Sequence, residues 1–278
     1  MGEGKSEAVQ RREVDRRSAP SGKIVYRAIL NEGDEELGRR SWALFWSGLA
    51  AGLSMGFSLI AEALLRQALP DEPWRPLISK MGYSVGFLIV VLGRQQLFTE
   101  NTLTAILPLF LRKDLSTLLN VTRLWVVVLA ANLLGALIIA WGSSCTSALE
   151  PAVRREMIAI GREAMAHGAG VHLLRGVFAG WLIALMVWLL PFAESGRVGV
   201  IIIITYMVGL GHFSHVIAGA SDVFVLAWNH QAGWGQVVMG FLLPTLGGNI
   251  IGGVLLVAAL NHGQVVGGNG GEREEGIV

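Results

Sequence analysis

The stretch Val90-Val91-Leu92-Gly93-Arg94-Gln95-Gln96-Leu97-Phe98-Thr99-Glu100-Asn101-Thr102 decides the fold. It interrupts a long apolar run, Ile78–Leu111, with polar residues in the middle. A bilayer core takes about 20 apolar residues of helix. The run is too long for one span, so it reads as a membrane helix that breaks at Gly93–Gln96, at mid-membrane, and resumes near Thr102. A second run, Val198–Trp228, has the same character. It breaks around His212-Phe213-Ser214-His215 and Gly219, and restarts after Ser221-Asp222, a pair suited to capping a helix N-terminus. Four further runs have the length of single spans: Trp42–Leu65, Thr122–Trp141, Leu173–Leu190 and Gln236–Leu260. Together they predict an all-α membrane protein with six transmembrane helices, the second and fifth broken.

Composition supports a membrane protein. Of 278 residues, 53% are hydrophobic and only 15% charged, against about 25% in soluble domains. The charge is concentrated in residues 1–40 and the last dozen. A net charge of +1 gives no reason to expect a nucleic-acid partner, and a single cysteine, Cys145, excludes an internal disulfide. Forty polar residues precede the first apolar run, which is not the layout of a cleavable signal. Trp42, Trp46, Trp141, Trp188, Trp228 and Trp234 sit near segment ends, as an interfacial belt places them. The expected organisation is an arm over 1–40, a six-helix channel domain over 41–262 and a disordered tail over 263–278 that includes the Gly267–Gly271 run. In the arm, Ile24, Val25, Ala28 and Ile29 recur at helical spacing, predicting a short amphipathic helix on the membrane surface. The Arg39-Arg40 pair favours cytoplasmic termini.

The two halves resemble each other. Gly48-Leu49-Ala50-Ala51-Gly52 in the first span answers Gly176-Val177-Phe178-Ala179-Gly180 in the fourth, and Asn132-Leu133-Leu134-Gly135 in the third answers Asn249-Ile250-Ile251-Gly252 in the sixth. Aligning the breaks sets Thr99 opposite His215. Three spans per half make the halves inverted repeats, an architecture that places a solute site at the repeat interface. The glycine stripes read first as close helix packing.

Polar groups at membrane depth mark pathways. His215 is the foremost candidate: an imidazole can donate a hydrogen bond to an anion or hand it a proton. His212 lies one turn earlier. Arg94 could hold an anion or pair with Glu100, and the ion pair is the favoured reading. Asp222 reads as a helix cap, and Asn132 and Asn249 as ties for the broken loops. No metal-ligand cluster, phosphate loop or nucleophile set is present in the sequence, so neither a cofactor nor an enzyme is expected.

The segments Leu97–Thr102, Phe213–Ala218 and Gly248–Gly253 together resemble the formate/nitrite transporter family, over residues 40–262. The resemblance implies an aquaporin-like fold in a bacterial inner membrane, a homopentamer with one pore per protomer, and passage of small monovalent anions such as formate and nitrite, with protons as a further partner. It implies that Thr99 and His215 face each other between apolar constrictions at Leu97, Phe98, Phe87, Tyr83 and Val208, with Asn101 in the loop motif. The chain departs from the family pattern. Ser214 replaces a glutamate, Gly219 and Gly180 replace asparagines, and a vestibule lysine is absent, leaving Arg175, His167 or His172 as stand-ins. A pore for small neutral solutes and a closed scaffold with a regulatory arm are the alternatives.

Overall fold

The computed structural model describes residues 21–267, which are helical throughout apart from short connections, with no strand among them. Residues 1–20 and 268–278, which hold part of the arm and most of the tail, lie outside the described residues. Five helices are long and apolar enough to cross a membrane: α2 (Ser41–Ala68), α3 (Arg75–Leu92), α6 (Leu115–Cys145), α8 (Ala169–Phe192) and α11 (Gln236–Val265). Between them lie α1 (Gly22–Gly38), α4 (Asn101–Thr104), α5 (Ile106–Arg112), α7 (Pro151–Ala164), α9 (Arg197–Leu210) and α10 (Val216–Trp228).

The two long apolar runs fold alike. In each, a helix ends at glycine and the next residue takes a left-handed conformation: Gly93 then Arg94 (φ 50°), Gly211 then His212 (φ 50°). The closing hydrogen bonds match one for one. Gly93 N–H donates to Ile89 O and Gln95 N–H to Val90 O; Gly211 N–H donates to Met207 O and Phe213 N–H to Val208 O. Helix α3 has 18 residues, about 27 Å at 1.5 Å per residue, close to the ~30 Å of a hydrocarbon core. Arg94 is 78% exposed at its side chain and His212 is exposed; the chain then folds back inward to bury Thr99 and His215.

Asparagines fix the returning loops. Asn132 Oδ1 accepts from Phe98 N–H, and its Nδ2 donates to Gly48 O and Gln96 O. Asn249 Oδ1 accepts from Val216 N–H, and its Nδ2 donates to Gly176 O and Ser214 O. Each asparagine thereby supplies partners to backbone that has left its helix, where lipid and apolar side chains offer none. The bonds also set the register between the halves: Gln96 answers Ser214 and Leu97 answers His215. The sequence alignment of Thr99 with His215 is thus two residues out. Gly52 and Gly180 lie where a Cβ would run into the carbonyl of Asn132 or Asn249, so the glycines let α2 meet α6 and α8 meet α11 at these points.

Helix α1 buries Tyr26, Ile29, Leu30, Gly33 and Leu37 against the protein, while Ile24 faces out. Its apolar face is taken up by protein rather than left for lipid. Arg123 of α6 donates to Leu37 O and Arg39 O, and Tyr26 Oη bonds His262 Nδ1 at 2.8 Å. That contact, and burial of Val265, accompany a last helix that runs on to Gly267.

Candidate functional site

Where the two returning loops meet, Thr99 Oγ1 lies 2.8 Å from His215 Nε2, with Thr99 0% and His215 1% exposed. His215 also caps α10: its Nδ1 accepts Ala218 N–H at 3.1 Å. A backbone amide can only donate, so Nδ1 carries no proton and the neutral ring carries it on Nε2. Nε2–H therefore points at Thr99 Oγ1, which leaves the threonine hydroxyl hydrogen free. The Thr99 carbonyl is occupied by Thr102 Oγ1–H at 2.7 Å. The meeting point thus offers hydrogen-bond donors. Asp222, which the sequence suggested as the cap of α10, stands inside that helix; His215 does the capping.

Phe87 holds the imidazole edge-on, ring centres 5.1 Å apart, and Tyr83 tilts against Phe87 at 5.4 Å. Leu97, Phe98, Phe87 and Val208 are all buried to 1% or less. Phe98 packs edge-on against Trp125 at 5.6 Å, and Trp125 Nε1 donates to Asn101 O.

A wide vestibule of about 690 Å³ opens on the His212 side, lined by Arg66, Arg75, Lys80, Glu163, Arg175 and His212 among others. Beneath it a narrow cavity of about 60 Å³ reaches His215, with Tyr83, Val208, Ser214, Gly219 and Asp222 in its walls. Lys80, Glu163, Arg175 and His212 line both spaces and form the neck. Two stand-ins expected for the vestibule lysine differ in place: Arg175 is in the neck, whereas His172 is buried behind the loop, its Nδ1 3.3 Å from Ser214 Oγ. The lysine of this vestibule is Lys80, which the sequence did not single out because it sits at the very start of the second apolar run, where a charge reads as an interfacial flank. Its Nζ lies 2.7 Å from Glu62 Oε1, both side chains nearly buried. Arg66 bonds Glu62 as well and grips Glu163 with both terminal nitrogens, at 2.6 and 2.7 Å. Burial works to raise the Glu163 carboxyl, but the Arg66 hydrogen bonds and charge outweigh it and hold the group below its ordinary range.

Arg94 and Glu100 do not pair. Arg94 faces Glu32 of α1 at 3.9 Å, while Glu100 Oε1 is buried without a hydrogen-bond partner among the described residues. The pairing expected from sequence fails because Arg94 stays at the helix end, on the α1 side, while the chain turns inward. That side is organised by Glu36, which accepts from Gln96 Nε2 (3.0 Å) and Thr104 Oγ1 (2.7 Å). Gln96 Oε1 in turn accepts from Asn101 Nδ2.

A family model described as formate/nitrite transporter matches residues 23–263. This chain belongs to the formate/nitrite transporter family. Among family relatives, "Inner membrane protein YfdC" of Escherichia coli (strain K12) is 38% identical over 91% of this chain and 82% of its own length. "Formate channel BtFdhC" of Bacillus thuringiensis is 27% identical over 81% of this chain and 88% of its own. A solved structure described as a pentameric formate channel with formate bound shares the fold, with a TM-score of 0.69 at 20% identity, over 81% of this chain and 98% of its own. The chain is a membrane transporter of the formate/nitrite family, and its vestibule, neck and donor pair are the features by which this member is to be read.

Proposed function

We propose that the chain conducts small monovalent anions, formate and nitrite foremost, through a pore within each protomer of a homopentamer in a bacterial inner membrane. Six crossings arranged as two inverted three-helix repeats build that pore, with the termini cytoplasmic. The matched glycine stops, returning loops and asparagine clamps support the inverted arrangement. Relatives named as formate channels, and the pentameric neighbour, support the substrate class and assembly.

The observation that carries the function is the donor pair. Nδ1 of His215 is committed to Ala218 N–H, so the ring acts at the pore through Nε2–H. An anion that displaces the Thr99–His215 bond gains Nε2–H and the threonine hydroxyl as donors, inside walls of Phe87, Tyr83 and Val208 that strip its water. A cation meets the same apolar walls and, at the meeting point, hydrogen-bond donors in place of ligating oxygens. Of the two roles open to His215 in the sequence, donation is the one its geometry favours; it gains a second proton only by giving up its helix cap.

Counterflow of labelled formate in vesicles containing the purified protein tests this. Exchange is expected above protein-free vesicles, competed by nitrite and indifferent to glycerol. Glycerol-driven swelling without anion exchange would establish the neutral-solute pore instead.

A further inference from the structure

The narrow cavity beneath the neck holds one carboxylate that the donor pair does not explain. Asp222 lines the cavity that ends at His215, and among the described residues its carboxylate has neither a salt bridge nor a side-chain hydrogen bond. Every other carboxylate of that cavity is engaged. Glu62 is held by Lys80 and Arg66, and Glu163 by Arg66. The groups facing Asp222 come from all the elements around it: Glu62 and Arg66 from α2, Lys80 and Tyr83 from the start of α3, Glu163 from α7, Arg175 from α8, and His212 and His215 from the loop before α10. From α11 the cavity receives only Phe241, whose ring fills the space beside Gly219. Two fixed cation–carboxylate pairs thus surround one uncommitted carboxylate, and a bare anion passing through the cavity toward His215 is repelled by it if it is ionised.

An unpaired carboxylic acid at membrane depth marks a proton or solute pathway. His215 is poorly placed to supply protons, because its Nδ1 already accepts a backbone amide. We propose that Asp222 is the proton carrier of this transporter, so that a weak-acid anion passes together with one proton. The anion passes from the neck into the cavity when Asp222 is protonated. The Oδ–H bond then breaks, its proton moves to an oxygen of the anion, and the neutral acid moves past His215. The Asp222 carboxylate left behind takes its next proton from vestibule water. This rests on the reading of the pore as a path for small anions and names what travels with them.

The test is labelled formate in vesicles, measured two ways: exchange at equal pH, and accumulation driven by an acid-outside pH gradient, each against protein-free vesicles. The wild type is expected to do both. In Asp222→Asn the ratio of pH-driven accumulation to exchange is expected to collapse, and Asp222→Glu to restore it, with the pH midpoint moved by a few tenths of a unit, about the difference between the two acids. Asp222→Asn that still accumulates formate as the wild type does, or Asp222→Glu with an unshifted midpoint, overturns the proposal. Should the asparagine variant fail to assemble, the midpoint of the glutamate variant decides. Absence of exchange in the wild type overturns the anion reading itself, a result distinct from exchange without pH-driven accumulation.

Discussion

Thr99 and His215 form the narrowest chemical statement in the molecule. One hydroxyl meets one imidazole nitrogen, and the other nitrogen is fixed by a backbone amide. Replacing Thr99 by valine keeps the volume and removes the acceptor, leaving a buried Nε2–H unsatisfied, a loss of about 1–3 kcal/mol. We expect Thr99→Val to lower the melting temperature of the detergent-solubilised protein. It is also expected to slow formate exchange by about tenfold or more, since every 1.4 kcal/mol lost in holding the anion is tenfold. Thr99→Ser keeps the hydroxyl and is expected to retain most of both. Equal exchange by the valine and serine variants would remove the threonine hydroxyl from the pathway. His215 stood out in sequence because a polar residue in an apolar run is conspicuous. The tautomer was not legible, since it depends on whether Nδ1 reaches an amide three residues on.

At the level of elements, the sequence repeats state a packing rule. Glycine lies where two helix backbones touch, and asparagine lies beside it to hold a loop. Gly48 and Gly52 against Asn132, and Gly176 and Gly180 against Asn249, are the same contact made twice. This was legible because both the small residue and its partner sit in short motifs that recur at matching places. The register of the returning loops was not, because it is set by which amide reaches the asparagine across some 35 residues; the structure makes Leu97, not Thr99, the counterpart of His215. The Arg94 reading failed because its partner, Glu32, lies on a distant element; the Asp222 reading failed because α10 starts earlier, at Val216, with His215 as its cap. If the two clamps are equivalent, Asn132→Ala and Asn249→Ala should destabilise alike, by about 2–4 kcal/mol, since each orphans a buried amide and two carbonyls. Thermal melts of the two variants side by side check this, and a large effect in one half with none in the other would break the equivalence. Gly52→Ala should cost about 1–3 kcal/mol through overpacking against the Asn132 backbone.

On the scale of the whole molecule, the arm helix α1 joins parts that the sequence places far apart. It bonds the last helix through Tyr26 and His262, α6 through Arg123, and α5 through Asp34 and Arg112 at 2.8 Å. Glu36 ties it to the loop that carries Thr99, through Gln96 and Thr104. Burial raises the Glu36 carboxyl above its ordinary value, and the nearby Glu32 adds to the rise; hydrogen bonds from Thr104 and Gln96, and the charge of Arg39, oppose it without cancelling it. The docked arm therefore binds the Glu36 proton more tightly than the unfolded chain does. Stability from this group is fully present below the ordinary carboxyl value of 4.5 and is lost as pH rises through the raised value. Docking of α1 is thus expected to weaken from mildly acid to neutral pH. Hydrogen exchange over residues 22–38, corrected for the intrinsic pH dependence of the amides, should show protection falling across that window in the wild type. Glu36→Gln is neutral at every pH and still presents an oxygen to Gln96 or Thr104, so its protection should be flat across the window and exceed that of the wild type at neutral pH. A wild-type profile that is itself flat, or a glutamine variant that keeps the slope, would show that the arm is held by Tyr26, Arg112 and Arg123 alone and that Glu36 adds no pH dependence to the loop behind Thr99.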